Sequence, residues 1–307
     1  MTRLAAVTGA TGFLGRRLVG VLKSRGFEVR ALVRREWDGE PVEVVDGDLA
    51  DEAALARLVD GAEVLVHVAG AVKARDRSAF MEVNGRGAAR AAQAAARAGA
   101  RAVLVSSLVA REPRLSPYAA SKRAGETAAR QALGDRLTVV RPPAIYGPGD
   151  RATFDLFWAA SKSPVLPVPD VRGARLALAY VDDICADIGD LAQAPSGEGP
   201  IELGGARPGG YAWAEIVEAL CRAAGRRPLP VRLPGWAVIA AGAASQGLAR
   251  LTGRPSMLTL GKAREILHRD WSVADIGGAQ ARIRAATDLD TGFARTLQWY
   301  RDAGWMR

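Results

Sequence analysis

Short runs of β-branched and aliphatic residues alternate with alanine-rich stretches through the first half of the chain. The runs at 4–8, 28–33, 42–45, 64–68, 102–106 and 137–140 are apolar at most positions, the pattern of strands covered on both faces. Between several of them, 15–24, 52–59, 85–98 and 118–133 carry apolar residues at helical spacing. This alternation predicts an α/β fold built on a doubly wound parallel sheet. After Pro142 the rhythm changes to loops rich in Pro and Gly, with Pro164, Pro167 and Pro169 close together, and helical spacing returns at 181–192, 212–224 and 236–251. That half is expected to form a smaller domain, partly interleaved with the sheet.

Composition narrows the class without naming a chemistry. With 307 residues, 49% of them hydrophobic, the chain can bury a large core. Lys and Arg number 42 against 33 Asp and Glu, a formal charge of +9. The arginines are scattered and no basic block is interleaved with aromatics, so nucleic acid is not an expected partner. Cys185 and Cys221 stand alone, with no neighbours at ligand spacing; neither a disulfide framework nor a metal site is expected. Met1, Thr2 and Arg3 lead straight into an apolar strand with no leader-like segment, which suggests a cytoplasmic protein. The longest apolar run, 236–244, is too short for a bilayer span and reads as a helix over a pocket or core.

The sharpest local feature follows the first strand. Val7-Thr8-Gly9-Ala10-Thr11-Gly12-Phe13-Leu14-Gly15 places three glycines between a strand and a helix. Such a triplet turns the backbone tightly, aims a helix N-terminus at a pyrophosphate and packs helix on strand. Gly9, Thr11, Gly12, Phe13, Leu14 and Gly15 are therefore candidate dinucleotide-binding residues. The second strand runs into Arg34 and Arg35, where a cofactor with a free ribose 2′-hydroxyl is usually met by an acid. Two guanidiniums there favour the 2′-phosphate of NADP(H) over NAD(H), unless they are ordinary loop charges. Asp48 and Leu49 close the third strand; Asp48 is placed to accept from an adenine amino group or to cap the helix starting near Asp51. On this basis 1–165 is expected to be a dinucleotide-binding Rossmann domain, with 175–205 returning to its sheet, and 166–307 a smaller substrate-binding domain.

Candidate chemistry lies at Ser106-Ser107 and at Tyr118-Ala119-Ala120-Ser121-Lys122. On a helix Tyr118 and Lys122 lie one turn apart on the same face. A neighbouring ammonium stabilises a phenolate, which suits the tyrosine to proton transfer near neutral pH.

These residues resemble a known family over nearly the whole chain: the extended short-chain dehydrogenase/reductases, or NAD-dependent epimerase/dehydratase family. The resemblance rests on the glycine turn at 8–15, GDL at 47–49, HVAG at 67–70 and VNGRGAARAAQAA at 83–95. It continues through VSS at 105–107, YAASK at 118–122, RPPAIYGPGD at 141–150, YVDD at 180–183 and WYRDAGW at 299–305. It implies that Tyr118 is the general acid/base and that Lys122 holds the nicotinamide ribose. Ser107 would hydrogen-bond the reacting oxygen, with Ser106 as its substitute. Val68, Ala69 and Gly70 would pass beside the adenosine ribose, and Pro142 and Ile145 would flank the nicotinamide. His67 is expected to be a packed strand-end residue. Asn84 either supports the central helix and the active-site hydrogen bonds or caps the helix starting at Gly85.

In character the chain looks closest to dihydroflavonol-reductase-like and hydroxysteroid-dehydrogenase-like members. Arg141 is followed by Pro142 and Pro143, whereas nucleotide-sugar enzymes of the family often carry an aromatic residue and Asn there. Trp236, Ile239 and Leu248 read as one wall of an apolar pocket or as core packing. The expected function is therefore NADPH-dependent reduction, or the reverse oxidation, of a hydrophobic carbonyl or alcohol through Ser107, Tyr118 and Lys122. Two alternatives stand beside it: a nucleotide-sugar epimerase or dehydratase that retains its cofactor, and a non-catalytic dinucleotide-binding regulator. Relatives commonly dimerise through helices matching 84–98 and 118–133, which makes a homodimer an expectation here too.

Overall fold

The computed structural model of the chain describes residues 3–34, 36–197, 199–252, 256, 258–273 and 286–306. Its first elements are β1 (Arg3–Thr8), α1 (Phe13–Ser24), β2 (Phe27–Val33), β3 (Glu43–Asp46), α2 (Glu52–Val59), β4 (Val64–His67) and the single turn α3 (Arg77–Phe80). A π-helical turn, Met81–Arg86, runs into α4 (Gly87–Arg97), followed by β5 (Arg101–Val105), α5 (Pro117–Leu133) and β6 (Leu137–Arg141). Next come β7 (Ala144–Tyr146), α6 (Phe154–Lys162), β8 (Val165–Pro169), β9 (Arg175–Leu176), β10 (Leu178–Tyr180), α7 (Val181–Gln193) and β11 (Pro200–Glu202). The last are α8 (Trp213–Ala224), β12 (Leu229–Leu233), α9 (Gly235–Thr252), α10 (Leu260–Leu267), β13 (Asp270–Trp271) and α11 (Leu289–Asp302).

The chain divides into two compact units, 1–142 with 185–202, and 143–184 with 203–307. The sequence placed the crossing near 165 and the return over 175–205. Within the first unit, β3-β2-β1-β4-β5-β6-β11 form one sheet in that order, and every pairing is parallel. Helices cover it because its strands are apolar on both faces: all four residues of β4 and all five of β6 are buried. Leu18 and Leu22 of α1 and Leu55 and Leu58 of α2 are fully buried against it, each contributing roughly 1.5–3 kcal/mol relative to exposure.

On α4, Ala88, Ala91, Ala92 and Ala95 replace bulky residues in the core. Small residues let α5 come close: a Cβ on Gly125 would run into the carbonyl oxygen of Asn84. The helix expected to begin at residue 85 instead starts at Arg77 and passes through the π turn. Asp76 caps its start by accepting from the amide of Ala79, so Asn84 lies inside the helical run and the capping role considered for it does not hold.

The second unit holds three two-stranded pairings, β10 with β7, β12 with β8 and β13 with β9. Its core is aromatic. Phe293 packs edge-on to Tyr146 and Phe157, with ring centroids 4.9 and 5.0 Å apart, and Tyr300 lies 5.6 Å from Phe157. The Tyr300 hydroxyl is satisfied by donating to the Asp150 carbonyl at 2.6 Å. Neither α6, which carries Phe157, nor α11, which carries Phe293 and Tyr300, was evident from apolar periodicity. The core-packing expectation for Trp236 and Leu248 is overturned, since they are 75% and 62% exposed. No helix among the described residues is long and apolar enough to cross a membrane.

Candidate active site and dinucleotide cradle

Parallel pairing brings the C-terminal ends of β1, β2, β4, β5 and β6 to one edge of the first unit's sheet. Thr8 is in register with Leu32 and His67, His67 with Leu104, and Val105 with Val140. The chain moves from β1 outward to β2 and β3 and then returns to the other side of β1 with β4, so the strand order reverses there. Crevices at such reversals, beyond the carboxyl ends of the strands, take dinucleotides in open α/β sheets.

The glycine turn sits at that reversal, and its geometry fits a dinucleotide pyrophosphate. Gly9 has φ +77°, a left-handed conformation, and a Cβ there would lie 2.6 Å from the Ala69 amide nitrogen. A Cβ on Gly15 would fall inside van der Waals distance of the Gly9 carbonyl oxygen. The turn is thus closed on itself and on the strand end at Val68 and Ala69, with no room for side chains. The Gly12 amide donates to the Gly9 carbonyl at 3.0 Å, and Gly12 caps α1 in an extended conformation with no acid in the first turn. Such an N-terminus favours an anion. Thr11 is exposed in the turn, Phe13 is half-buried and Leu14 is buried.

At the end of β2, Arg34 is exposed, whereas Arg35 lies outside the described residues. The nearby carboxylate Asp38 is engaged by Arg16 at 2.6 Å, and this guanidinium holds it below the usual carboxylate range. Asp48 is exposed, and its carboxylate accepts from the Ala50 amide at 2.7 Å. It does not cap α2; Asp51 does, accepting from the Ala54 amide at 2.9 Å. Leu49 is partly buried against the core, and its carbonyl accepts from Arg90.

The edge beyond β4 and β5 carries the titratable groups. Ser116 caps α5 by accepting from the Ala119 amide at 2.9 Å, with Pro117 in the first turn. Tyr118 is half-buried in that turn, its ring centroid 5.8 Å from that of Phe80. One turn on, the Lys122 ammonium donates to the Val105 carbonyl at 3.0 Å. Burial lowers its pKa to about 8, against the opposing attraction of Glu126. Gly70 leaves space for it: a Cβ there would lie 3.2 Å from both Lys122 Nζ and Asn84 Oδ1.

Asn84 is buried in the π turn and bridges two segments. Its amide group donates to the Ala71 carbonyl at 3.0 Å and to the Ser121 hydroxyl at 2.9 Å, while its oxygen accepts from the Ala71 amide at 2.8 Å. Ser121 in turn donates to the Tyr118 carbonyl at 2.7 Å. Asn84 thus ties the π turn to the segment after β4 and to the first turns of α5.

The two serines separate sharply. Ser106 is buried and donates to Glu126 at 2.5 Å. Glu126 also takes two hydrogen bonds from the Arg141 guanidinium, at 2.8 and 2.7 Å, and Arg141 reaches Glu202 at 3.2 Å. Ser107 is half-buried in extended backbone at the strand end, and its side chain makes no cap hydrogen bond. Glu126 and Arg141 were not singled out from the sequence as a pair; the available signal was Glu126 one turn beyond Lys122. His67 is buried, with Nδ1 2.8 Å from the Thr8 hydroxyl, and Nε2 has no hydrogen-bond partner among the described residues. Burial and the Lys122 charge push its pKa down to about 3.

The Leu108 amide donates to the Pro142 carbonyl at 2.8 Å, placing Pro142 beside the Ser107 segment. Ile145 belongs to β7 of the second unit, half-buried and in register with Ala179. The structure therefore brings the glycine turn, Val68 to Gly70, Ser107, Tyr118, Lys122 and Pro142 to one edge of the first unit. That edge carries a phenol, an ammonium and a hydroxyl beside the glycine turn.

Comparison with known proteins agrees with this geometry. Residues 5–186 match the model of the NAD dependent epimerase/dehydratase family. A ceramide reductase from Caulobacter vibrioides is 48% identical over 308 residues, covering 99% of this chain and 96% of that protein. A dTDP-4-dehydrorhamnose reductase from Streptomyces griseus is 31% identical, covering 74% of this chain and 78% of that protein. Among solved structures, gox2253 superposes with a TM-score of 0.77 at 21% identity, with 100% of both chains covered. MoeE5 in complex with UDP-glucose and NAD superposes at 0.72 and 22%, covering 98% and 99% of the two chains.

Proposed function

The chain belongs to the NAD dependent epimerase/dehydratase family and is an NAD(P)-dependent oxidoreductase; on that premise we propose that it uses NADPH to reduce a ketone on a ceramide-type lipid. The observation that carries the substrate class is the full-length similarity to a ceramide reductase. The preference for NADPH rests on Arg34, exposed at the end of β2, and on Asp38, four residues further along the chain, being paired with Arg16.

A dinucleotide held at the glycine turn from Gly9 to Gly15 and at Val68 to Gly70 would supply hydride to the carbonyl carbon. The chain's own residues handle the oxygen. The Ser107 hydroxyl and the Tyr118 phenol donate to the carbonyl oxygen, polarising it and fixing its position. As negative charge develops on that oxygen, Tyr118 gives up its proton, and the product is the alcohol. Lys122, fixed by the Val105 carbonyl, places a cation one helical turn from the phenol and favours its ionised form. Asn84 and Ser121 tie the π turn to the Tyr118 carbonyl, so the phenol stands on a rigid first turn.

The test is turnover of a ketone-bearing ceramide in detergent micelles, followed by loss of NADPH absorbance and by mass spectrometry of the lipid. Equal amounts of NADPH consumed and alcohol formed are expected. Arg34→Ser is expected to weaken NADPH binding about tenfold or more while leaving NADH binding nearly unchanged. Conversion of a nucleotide sugar without net NADPH consumption would replace this reading with that of an epimerase or dehydratase.

A further inference from the structure

Helix α9 is apolar almost all round yet only partly covered. From Gly235 to Ala249 it contains no charged residue. One side packs on α10: Gly242 is buried, and a Cβ there would lie 2.8 Å from the Thr259 carbonyl and 3.0 Å from Ala263. The other side faces solvent. Trp236, Ala240, Ala244, Leu248 and Leu251 follow helical spacing and are all exposed, with Trp236 at 75% and Leu251 at 87%. A helix that is apolar all round is normally buried on all sides. The strand leading into it through Pro234 has the same character, since Leu229 and Val231 of β12 are 66% and 38% exposed.

The charge of the stretch of sequence that carries this face selects its occupant. Between Glu218 and Glu265 the sequence contains no Asp or Glu, whereas Arg222, Arg226, Arg227, Arg232, Arg250, Arg254, Lys262 and Arg264 fall in that interval. Some of these cations are engaged locally: Arg222 pairs with Asp290 at 2.8 Å, Arg226 donates to the Ser161 carbonyl, Arg232 lies 3.6 Å from Asp170 and Lys262 3.1 Å from Glu265. Arg227 and Arg264 are exposed. A second copy docking on this face about a two-fold axis would bring like charges together. An anionic bilayer surface attracts them instead, by about 1 kcal/mol for each Lys or Arg near the headgroups.

We propose that α9 is an interfacial anchor: its exposed Trp236–Leu251 face enters the headgroup and upper acyl region of an anionic membrane, with the helix lying in the membrane plane. Tryptophan at one end suits the interface, and leucines at the other supply apolar area. The helix lies on the bilayer rather than across it. The inference does not depend on which carbonyl is reduced, because it uses only this face and its charges.

Sedimentation of the full chain with vesicles of phosphatidylglycerol and phosphatidylcholine tests the anchor, with pure phosphatidylcholine vesicles and added salt as controls. Binding to the anionic vesicles that weakens in the neutral ones and at high salt is expected. Leu248→Asp with Leu251→Asp is expected to reduce it about tenfold or more. Unchanged NADPH binding and an unchanged melting temperature would show that this variant is folded; Trp236→Ser serves as an independent second variant. If the folded wild-type protein ignores anionic vesicles, or the variants bind as well as wild type, the proposal is overturned. A wild-type dimer in analytical ultracentrifugation that the variants dissociate would assign the face to a second copy and equally overturn it. Ketone reduction in micelles is measured separately, so loss of vesicle binding and loss of the proposed activity remain distinguishable.

Discussion

Ser106 and Glu126 share a buried hydrogen bond of 2.5 Å, and this contact separates two adjacent serines into different roles. Glu126 is also clamped by Arg141, so the Ser106 hydroxyl belongs to an ion-pair network behind the sheet edge. Ser107, the next residue along the extended strand end, is half-buried and makes no cap hydrogen bond, and it is the serine proposed to meet the substrate oxygen. Ser107→Ala is expected to lower kcat by roughly 10²–10³ with little change in melting temperature. Ser106→Ala removes one donor from a buried carboxylate and is expected to cost about 1–3 kcal/mol of stability, with a much smaller effect on turnover. Steady-state kinetics and urea unfolding of both variants measure this; an equal loss of kcat in the two would remove the distinction.

Removing only the phenolic oxygen isolates the proton-transfer role proposed for Tyr118. Tyr118→Phe is expected to lower kcat by about 10²–10⁴ while NADPH still binds, because the glycine cradle and Lys122 are untouched. Fluorescence titration of NADPH and single-turnover reduction separate binding from chemistry. Full turnover in this variant would refute the assignment.

The glycine turn offers a steric test. Gly15→Ala places a methyl group against the Gly9 carbonyl and forces the turn open. Dinucleotide affinity is expected to fall about tenfold or more, equivalent to at least ~1.4 kcal/mol. Gly20→Ala in the same helix is the control, since its Cβ would meet only the movable end of Glu40 at 3.3 Å. There the change is expected to be neutral or to stabilise by about 0.5–1 kcal/mol, because alanine suits a helix interior.

Two buried bases set opposite ends of the stability profile. His67 titrates at about 3 in the fold and near 6.5 when unfolded, chiefly because burial penalises the imidazolium. Between those values the unfolded chain binds more protons, so stability falls as pH drops from 6.5 toward 3. Lys122 titrates at about 8 in the fold and 10.5 unfolded, so between those values the unfolded state again binds more protons and stability rises with pH. Urea unfolding at a series of pH values should show both slopes. His67→Gln should flatten the acid slope above about pH 5, where carboxylates remain ionised, and Lys122→Met should flatten the alkaline one.

The sequence by itself determined the architecture of the first unit. Strands apolar on both faces and helices with one apolar stripe have few ways to bury themselves other than a parallel sheet with helices on each side. The glycine spacing and the Tyr118 and Lys122 pair were equally legible, because local backbone geometry and a single helical turn fix those relationships. What depends on residues far apart was not. The partner of Ser106 lies twenty residues away on another element, and the inward turn of Asn84 depends on a π turn that no periodicity announces. In the second unit, α6 and α11 are recognised by the aromatic core they share rather than by spacing. The exposure of α9 was likewise decided only in three dimensions: an apolar stretch reads the same whether its far side meets protein or not, and only packing shows that α10 covers one side alone.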